Sequence, residues 1–462
     1  MEFNILEKTP LYDTFSYLGK RIFLPDGIFY WSNRAKKEAE LIGTIGSAFS
    51  YDYDIVNGGS DEWVPCYLEE IKNYTNLSVK DMVPYASIGG LSELRSIWKE
   101  WIIYKSGINP KTQEEELYHL RNFITEPIVT AGVTNGIYMA SLLFLNPEEY
   151  IICPNKRWGN YDNIIVKNLG ARIKSFDFFK DQKINLEGLK NTIIQVSGSQ
   201  DKVIILLNFP NNPTGYVPTL NEANQLIELL KNTQSKLKIP FIIFIDDAYE
   251  PYVYSEGREI LERSFFYELQ QLPEDIIPVK LDGITKELLF YGGRIGFVTI
   301  GLKASWVRRD EDLSQLKTQI NNKLEGINRS TISNANHFYQ KVAINMFQDF
   351  GMEKIVRSRN KVKEILRERF EITNQELTKI KSRDISIDPN SGGFFLFMNL
   401  NSKKIKAKEF ADYLLKKYKV GVIPIENSNE NINGIRIAYC SIHKDQIAEF
   451  INRIKKALKD MD

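Results

Sequence analysis

Two side chains in the middle of the sequence could carry amine chemistry together. Lys286 ends the segment 281–286 (LDGITK), directly after an apolar run, and Arg294 lies eight residues later among glycines. A lysine amine can attack a carbonyl carbon, and an arginine fork can hold a phosphate. The spacing suits a lysine that forms a Schiff base beside a phosphate clamp. Considered alone, Lys286 could equally be one of many surface lysines.

Polar residues also follow the two preceding apolar runs. Asp246 directly follows the apolar run 241–245, and Asn212 lies in the segment 208–215 (NFPNNPTG). A carboxylate at the tip of a central strand is costly to bury unless a cation or donor meets it, and a protonated pyridine nitrogen is such a cation. A helix cap supplied by Asp247 is the structural alternative. Prolines fix the turn around Asn212, whose amide can donate a hydrogen bond.

Two earlier turns could contact a ligand. The segment 131–136 (AGVTNG) places Val133 and Thr134 at the start of an apolar helix, where free backbone N–H groups can bind phosphate. Trp158, after another apolar run, could stack on a planar ligand. An ordinary turn capped by Thr134 and a packing role for Trp158 are the alternatives. The sequence has no GxGxxG or Walker pattern.

The elements that must position these residues alternate along the chain. Apolar runs predict six strands, at 127–130, 150–153, 172–176, 203–207, 241–245 and 277–281. Amphipathic stretches predict helices between them, at 136–145, 160–168 and 220–230. This order predicts a mostly parallel sheet, covered on both faces, that binds ligands at the carboxyl ends of its strands. The last part predicts a smaller α+β unit, with helices at 354–370, 407–417 and 443–458 and strands at 393–398 and 434–439.

Composition narrows the class of protein. The 60 basic and 59 acidic residues balance to a net charge of +1, which indicates neither a nucleic-acid nor a membrane partner. Residues 1–8 lack a secretory pattern, and no apolar run is long enough to cross a bilayer. Three scattered cysteines and three scattered histidines offer no disulfide framework, metal site or Ser-His-Asp triad. We therefore expect a cytoplasmic protein that acts on small molecules with a borrowed cofactor.

Taken in order, these five segments resemble the signature of the class I and II aminotransferases, pyridoxal-phosphate enzymes of fold type I. The NNPTG string and the lysine-to-arginine spacing are the most specific parts, and the resemblance extends roughly from Gly43 to the end of the chain. It implies an α/β fold with a mostly parallel central sheet in a large domain, plus a smaller α+β domain. We expect the large domain at 56–320, the small one at 321–462, and an N-terminal segment, 1–55, that packs with the small domain.

The resemblance implies a cofactor, pyridoxal 5′-phosphate, and catalytic roles for individual residues. Lys286 resembles the lysine that bonds to the cofactor and moves a proton from the substrate Cα. Asp246 would pair with the pyridine nitrogen and keep it protonated. Asn212 and Tyr249 would donate hydrogen bonds to the phenolic oxygen. The reaction implied is transfer of an amino group from an L-amino acid, with dicarboxylic or aromatic substrates as candidates, to a 2-oxo acid.

The same resemblance supplies cofactor-binding residues. Trp158 occupies the position that stacks above the cofactor ring, and Val133, Thr134 and Arg294 match the residues that hold its phosphate. Tyr85, in the segment 85–91 (YASIGGL), is similar to a tyrosine that reaches across a homodimer to the neighbour's phosphate. A homodimer with shared active sites is therefore expected.

For the substrate, Arg436 resembles the arginine that forks onto the α-carboxylate, and Gly46 would add a backbone contact. Arg329 lies in a segment similar to one that binds a distal carboxylate, although related enzymes of other specificity keep such a segment. In one departure from the family pattern, Gly283 stands where many relatives have a serine that touches the phosphate. Thr285 could replace part of that contact. A lyase, decarboxylase or synthase reaction on the same fold is the alternative function.

Overall fold

A seven-stranded sheet forms the centre of the computed structural model, which describes residues 5–23, 27–74, 77–254, 259–402 and 404–461. In spatial order its strands are Ile128–Thr130, Gly296–Ile300, Ile276–Gly283, Phe241–Asp246, Val203–Asn208, Tyr150–Pro154 and Arg172–Phe176. The strand Gly296–Ile300 is antiparallel to both neighbours, and all other adjacent pairs are parallel. The predicted α/β fold with a mostly parallel central sheet is confirmed.

Alternate residues of the central strands enter two different cores. In the strand Val203–Asn208, Ile205 and Leu207 pack in one core, whereas Ile204 and Leu206 pack in the other. Successive side chains of a strand point to opposite faces, so both faces of the sheet are covered. This burial on both sides explains why these strands are continuous apolar runs in the sequence instead of alternating with polar residues.

Helices accompany this sheet along the chain. They are Ser92–Lys105, Glu114–Asn122, Gly132–Phe144, the π-helix Asp162–Asn168, Leu186–Ser197, Leu220–Leu237, Phe265–Gln270 and Asp310–Thr331. The start of Leu220–Leu237 is fixed by a reciprocal cap, because the Thr219 hydroxyl accepts from the Glu222 backbone N–H and the Glu222 carboxylate accepts from the Thr219 N–H. No helix among the described residues is both long and apolar enough to cross a membrane.

A second, antiparallel sheet lies in the last part of the chain. Its strands, in spatial order, are Ile385–Ile387, Leu396–Leu400, Ile432–Ile437 and Ile423–Asn427. The helices of this part are His337–Thr378, which bends at Gly351 (φ +71°), Ala407–Tyr418 and Lys444–Met461. This is an α+β arrangement of the predicted kind.

The N-terminal segment reaches both parts of the molecule. Its helices are Pro10–Asp13, Tyr17–Arg21 and Ile28–Glu38, and its short strand Leu41–Ile42 pairs in parallel with Val420–Gly421. Other short elements are the helices Asp52–Ile55, Val79–Met82 and Ile284–Glu287 and two strand pairs, Phe49–Tyr51 with Trp63–Pro65 and Phe179–Lys180 with Lys183–Ile184. The domain boundaries at 55/56 and 320/321 stay predictions.

The predicted elements differ from the observed ones mainly at their ends. The strand predicted at 393–398 begins only at Leu396, because the backbone N–H groups of Gly392 and Gly393 donate instead to carbonyls of the loops at Gly215 and Tyr252. The helix predicted at 354–370 is part of a longer helix, and the one predicted at 160–168 is a π-helix that begins at 162. Of the opening residues 1–8, the first four lie outside the described residues.

Candidate active site

A cavity of about 370 Å³ opens where the carboxyl ends of the central strands meet the C-terminal sheet and the N-terminal helix Ile28–Glu38. It is lined by ten of the predicted catalytic, cofactor-binding and substrate-binding residues, Gly46, Val133, Thr134, Trp158, Asn212, Asp246, Tyr249, Lys286, Arg294 and Arg436. The remaining lining residues are Ile28, Phe29, Asn208, Ala248, Gly283, Thr285 and Phe395. Residues nearly 400 positions apart in the sequence therefore share one site.

Asp246 is a buried carboxylate held in a fixed orientation. The Tyr161 hydroxyl donates to its Oδ2, and the Ala248 backbone N–H donates to its Oδ1 at 3.1 Å. Burial raises the pKa of Asp246, and the Tyr161 hydrogen bond opposes that shift. Asp246 makes no ion pair with a cation of the described residues, so its carboxylate can receive a cationic ligand.

Lys286 lies in the short helix Ile284–Glu287, directly after the strand that neighbours Asp246. The Tyr252 hydroxyl donates to the Lys286 carbonyl at 2.8 Å, and Lys286 Nζ lies 5.3 Å from the Tyr249 ring centroid. Burial, and after it the charge of Arg294, lower the pKa of Lys286 to about 8, and Asp246 opposes this shift. At pH 7 this leaves about a tenth of the amine unprotonated, far more than for a lysine of ordinary pKa, and the unprotonated amine is the form that acts as a nucleophile.

An anion-binding corner forms at the start of the helix Gly132–Phe144. Gly132 has φ +78°, and a Cβ there would lie 2.4 Å from Arg294 Nη2, so the guanidinium passes close to the helix N-terminus. Thr134 and Thr285 line the same cavity, and Arg294 Nη1 lies 3.5 Å from Thr285 Oγ1. A cation, hydroxyl groups and helix N-terminal N–H groups together suit a phosphate.

Gly283 departs from the family pattern for a steric reason. A Cβ at this position would lie 2.6 Å from the Ile295 carbonyl oxygen and 2.9 Å from Gly296 Cα. Both contacts are with backbone of the antiparallel neighbour strand, which pairs Gly283 with Gly296. A serine cannot be placed here without moving that strand, and Thr285 is the hydroxyl residue that lines the cavity instead.

Arg436 is a buried cation in the strand Ile432–Ile437, only 2% exposed. Its Nη2 donates to the Thr44 carbonyl at 3.0 Å and its Nη1 to Asn212 Oδ1 at 3.3 Å, while the guanidinium lies 4.1 Å from the Phe395 ring centroid. Arg436 Nε is buried with no hydrogen-bond partner among the described residues, and no carboxylate of those residues pairs with the guanidinium. Burial lowers the pKa of Arg436 to about 10, so it stays cationic at neutral pH. An anionic ligand group would supply the missing hydrogen-bond partner of Nε and the missing counter-charge of the guanidinium.

Two predicted site residues lie outside this cavity. Tyr85 is 92% exposed on a loop, and Arg329 is exposed on the helix Asp310–Thr331, where its Nη1 donates to Ser333 Oγ at 2.7 Å. The structure of this chain therefore does not bring either of them to its own Lys286.

Sequence reasoning missed several lining or supporting residues. Tyr161, which bonds Asp246, and Asn208, whose Oδ1 accepts from the Asn212 backbone N–H at 2.8 Å, both lie in segments that it singled out. Their position after apolar strands was an available signal. Ile28 and Phe29 carried no signal, because only the folded chain brings their helix to the cavity.

The amino-acid sequence matches a known protein family and several of its members. The family described as aminotransferase class I and II matches residues 106–454. An aspartate aminotransferase of Sulfolobus acidocaldarius is 26% identical over 74% of this chain and 74% of its own length. A probable aspartate/prephenate aminotransferase of Aquifex aeolicus is 23% identical over 82% of this chain and 84% of its own.

Solved structures show the same fold. An aminotransferase of Anaerococcus prevotii superposes with a TM-score of 0.78 at 21% identity, covering 96% of this chain and 98% of that one. A kynurenine aminotransferase of Pyrococcus horikoshii, solved with PMP, gives a TM-score of 0.76 at 17% identity, covering 98% of each chain.

The chain belongs to the class I and II aminotransferase family, and it is a pyridoxal-phosphate-dependent enzyme that transfers an amino group from an amino acid to a 2-oxo acid. The predictions of family, fold type, reaction and cofactor are confirmed. A lyase, decarboxylase or synthase reaction is not favoured, because the relatives named above are aminotransferases.

The cavity residues fit pyridoxal 5′-phosphate. The buried Asp246 carboxylate makes no ion pair with any described side chain, as expected of a partner for a protonated pyridine nitrogen. The corner around Gly132 and Arg294 offers donors for a phosphate, and Lys286 offers an amine of lowered pKa. A volume of about 370 Å³ lies in the ordinary range for cofactor sites.

Proposed function

We propose that Lys286 is the residue through which this enzyme holds its cofactor covalently and moves the substrate proton. The observation that carries this proposal is that an amine of lowered pKa and a buried carboxylate, Asp246, which makes no ion pair with the described residues, line the same cavity. Bound there, pyridoxal phosphate supplies an aromatic system that accepts the electrons of the substrate Cα–H bond. Lys286 Nζ would take that proton from the substrate Cα and deliver it to the cofactor's C4′ carbon, so that the amino group stays with the cofactor when the 2-oxo acid leaves.

The other lining residues would bind and orient the cofactor. Asp246, held by Tyr161, would keep a proton on the pyridine nitrogen. Asn212 uses its Oδ1 to accept from Arg436, which leaves its Nδ2 hydrogens as the donors for a ligand oxygen. Tyr249, whose pKa is raised by burial, would donate its hydroxyl proton to the same oxygen.

Stacking and phosphate binding fall to residues of the large sheet's loops. Trp158 would stack on the cofactor ring. The Tyr161 ring packs edge-on against the Trp158 ring, with 5.6 Å between the ring centroids. Val133, Thr134 and Arg294 would hold the phosphate, with Thr285 in place of the missing serine hydroxyl.

Arg436 and Gly46 would bind the substrate α-carboxylate. The Arg436 fork is already fixed by Thr44 and Phe395, so little side-chain freedom is lost when a carboxylate binds. Orientation by this contact would set the Cα–H bond toward Lys286 Nζ.

The substrate side chain would be uncharged and large. The cations that line the cavity are Lys286, Arg294 and Arg436, each with a role above, and no other described cation lines it. The apolar residues Ile28 and Phe29 lie at its N-terminal side. This favours aromatic over dicarboxylic donors, unless Arg329 of a second copy enters the site.

A donor panel tests this substrate class. We expect higher kcat/KM for phenylalanine and tyrosine than for aspartate and glutamate, and a loss of about tenfold for the aromatic donors alone in Phe29→Ala. Dicarboxylate preference that disappears in Arg329→Leu would contradict the proposal and assign Arg329 to a distal carboxylate.

We further propose a homodimer in which Tyr85 reaches the neighbour's phosphate. Tyr85 projects from its own chain, and exposed apolar residues Val79, Met82 and Val83 precede it. If sites are shared, mixing inactive Lys286→Ala with weakened Tyr85→Phe restores one intact site per mixed dimer. No recovery on mixing would contradict a shared site.

The free cysteines Cys66, Cys153 and Cys440 are all buried, and we propose a cytoplasmic location.

Lys286→Ala tests the central assignment. The purified variant should lack the visible absorbance of covalently held cofactor and nearly all turnover. Lys303→Met is the matched control, because burial likewise lowers the pKa of Lys303 to about 8, but among the described residues its Nζ donates to the backbone carbonyls of Leu269, Gln270 and Leu272. An unchanged spectrum in Lys286→Ala would reject the assignment.

A further inference from the structure

Seven charged side chains converge beneath the active site, and none of them has a role in the chemistry described above. We call this set the buried charge network. Its members, each with a side chain at most 8% exposed, are Lys105, Asp247, Glu250, Lys280, Asp282, Glu287 and Arg359.

Two lysines bridge the carboxylates of this network. Lys280 Nζ contacts Asp247 Oδ2 and lies 2.8 Å from Glu250 Oε2. Lys105 Nζ lies 2.7 Å from the same Glu250 oxygen and 2.9 Å from Glu287 Oε2. Glu250, Asp282 and Glu287 approach one another closely enough to resemble a metal site, but the lysine ammonium groups already supply the positive charge between them.

Glu287 is the most completely bonded member. Its Oε1 accepts from Trp101 Nε1 at 3.1 Å and from Arg359 Nη1 at 3.0 Å, and its Oε2 accepts from Lys105. Asp282 accepts from Trp98 Nε1 at 3.0 Å. Donors from the helices Ser92–Lys105 and His337–Thr378 thus hold carboxylates on both sides of Lys286.

The network joins the two segments that carry Asp246 and Lys286. Asp247 follows Asp246, and Glu287 follows Lys286, so each catalytic residue has a network member as its chain neighbour. From Asp247 the contacts run through Lys280, Glu250 and Lys105 to Glu287. This path is continuous, and its side chains are buried.

From this connectivity we infer that the buried charge network positions Lys286 relative to Asp246, with Glu287 as the positioning residue of the lysine turn. The inference rests on the proposed roles of Lys286 and Asp246. Buried ion pairs give little stability compared with apolar residues of similar volume, so stability alone does not account for a buried network of seven charged side chains. Directional contacts do fix relative placement, on which catalytic rates depend strongly.

The network contains four carboxylates and three cations. It therefore has a net charge of −1 when all four carboxylates are ionised, and it is neutral when one of them is protonated. Burial raises the pKa of Asp247 to about 7, whereas the ammonium groups of Lys105 and Lys280 outweigh burial and lower the pKa of Glu250 to about 2. Glu287→Gln removes the excess charge and keeps the side-chain shape, so it perturbs placement without leaving an extra buried anion.

The test compares Glu287→Gln holoenzyme with wild type. We expect kcat to fall about 10- to 100-fold with little change in KM, because the substrate still meets Arg436 while the lysine turn is displaced. In substrate-free holoenzyme, we also expect a shifted pH midpoint of the visible cofactor absorbance, which a purely structural role would not move.

Glu149→Gln is the matched control. Glu149 pairs with Lys202 at 2.9 Å, with side chains 17% and 21% exposed, at the opposite end of the same sheet. It should leave both kcat and the absorbance midpoint as in wild type. If Glu287→Gln lowers only the unfolding temperature, the positioning role is overturned.

A milder variant covers the case in which Glu287→Gln does not fold. Trp101→Phe removes one donor to Glu287 and leaves all charges in place, and it should shift the same absorbance midpoint in the same direction. An unshifted midpoint in folded Trp101→Phe overturns the inference. Lys286→Ala separates the two hypotheses, since loss of its visible absorbance upholds the proposed function whatever the network variants do.

Discussion

Replacing Arg436 with lysine tests how the substrate is held. The variant keeps the positive charge but replaces a planar fork with a single ammonium group. In the structure, two guanidinium nitrogens are fixed on Thr44 and Asn212, and Nε remains without a partner among the described residues. A lysine at this position can offer the α-carboxylate one charge-assisted contact where arginine offers two.

The size of the effect follows from that lost contact. A hydrogen bond to a charged group contributes about 1.5–3 kcal/mol, and about 1.4 kcal/mol corresponds to a tenfold change in rate. We therefore expect kcat/KM for an L-amino acid to fall about 10- to 150-fold in Arg436→Lys.

The assay compares L-phenylalanine with phenylethylamine, which lacks the carboxylate, by following the cofactor absorbance in single turnovers. The amine should react with wild type and Arg436→Lys at rates within about threefold of each other. Arg369→Lys is a matched control, because Arg369 is equally buried but donates to Phe49, Ser50 and Cys440. An equal loss for both substrates, or no loss, would refute the assignment of Arg436.

Two further predictions concern stability. Lys286→Met should stabilise the cofactor-free protein by about 1–3 kcal/mol at pH 7. The folded pKa of about 8 lies below the ordinary 10.5, so the protonated amine destabilises the folded chain below pH 8 and this penalty disappears as pH rises to 10.5. Denaturant titrations should therefore show the gain shrinking across that range, and a gain that stays constant or grows with pH would contradict the shift. Gly283→Ser should cost about 1–3 kcal/mol and weaken cofactor binding, because its Cβ meets strand backbone. Gly292→Ser, where a Cβ meets nothing within 4 Å, should leave the melting temperature unchanged, and equal melting temperatures for both serine variants would contradict the steric account.

Much of the site could be predicted from sequence because of where its residues lie on the strands. Asp246, Asn212 and Lys286 each follow an apolar run, and parallel strands bring their carboxyl ends to one edge of a sheet. The sequence was therefore sufficient to predict that these three residues lie close together. The roles assigned to them came from the resemblance, since spacing alone left the surface-lysine and helix-cap alternatives open.

Other features depended on contacts between distant segments. Arg436 meets Thr44, which lies 392 positions away, and Ile28 and Phe29 reach the cavity only because their helix is fixed to the C-terminal part. The buried charge network is likewise assembled from four separate segments. Such pairings leave no periodic pattern in either segment, because each partner is chosen by packing and not by its chain neighbours.

The sequence by itself determined the alternation of apolar strands and helices, and through it the sheet and the edge at which ligands bind. Only the tertiary structure decided that Gly283 has no room for a side chain, that the buried Arg436 Nε has no partner among the described residues, and that Arg329 and Tyr85 lie outside the cavity of their own chain. The physical reason is that strand burial is a local property of a chain segment, whereas steric room, pairing of a buried charge and access to a cavity depend on every segment packed around the residue.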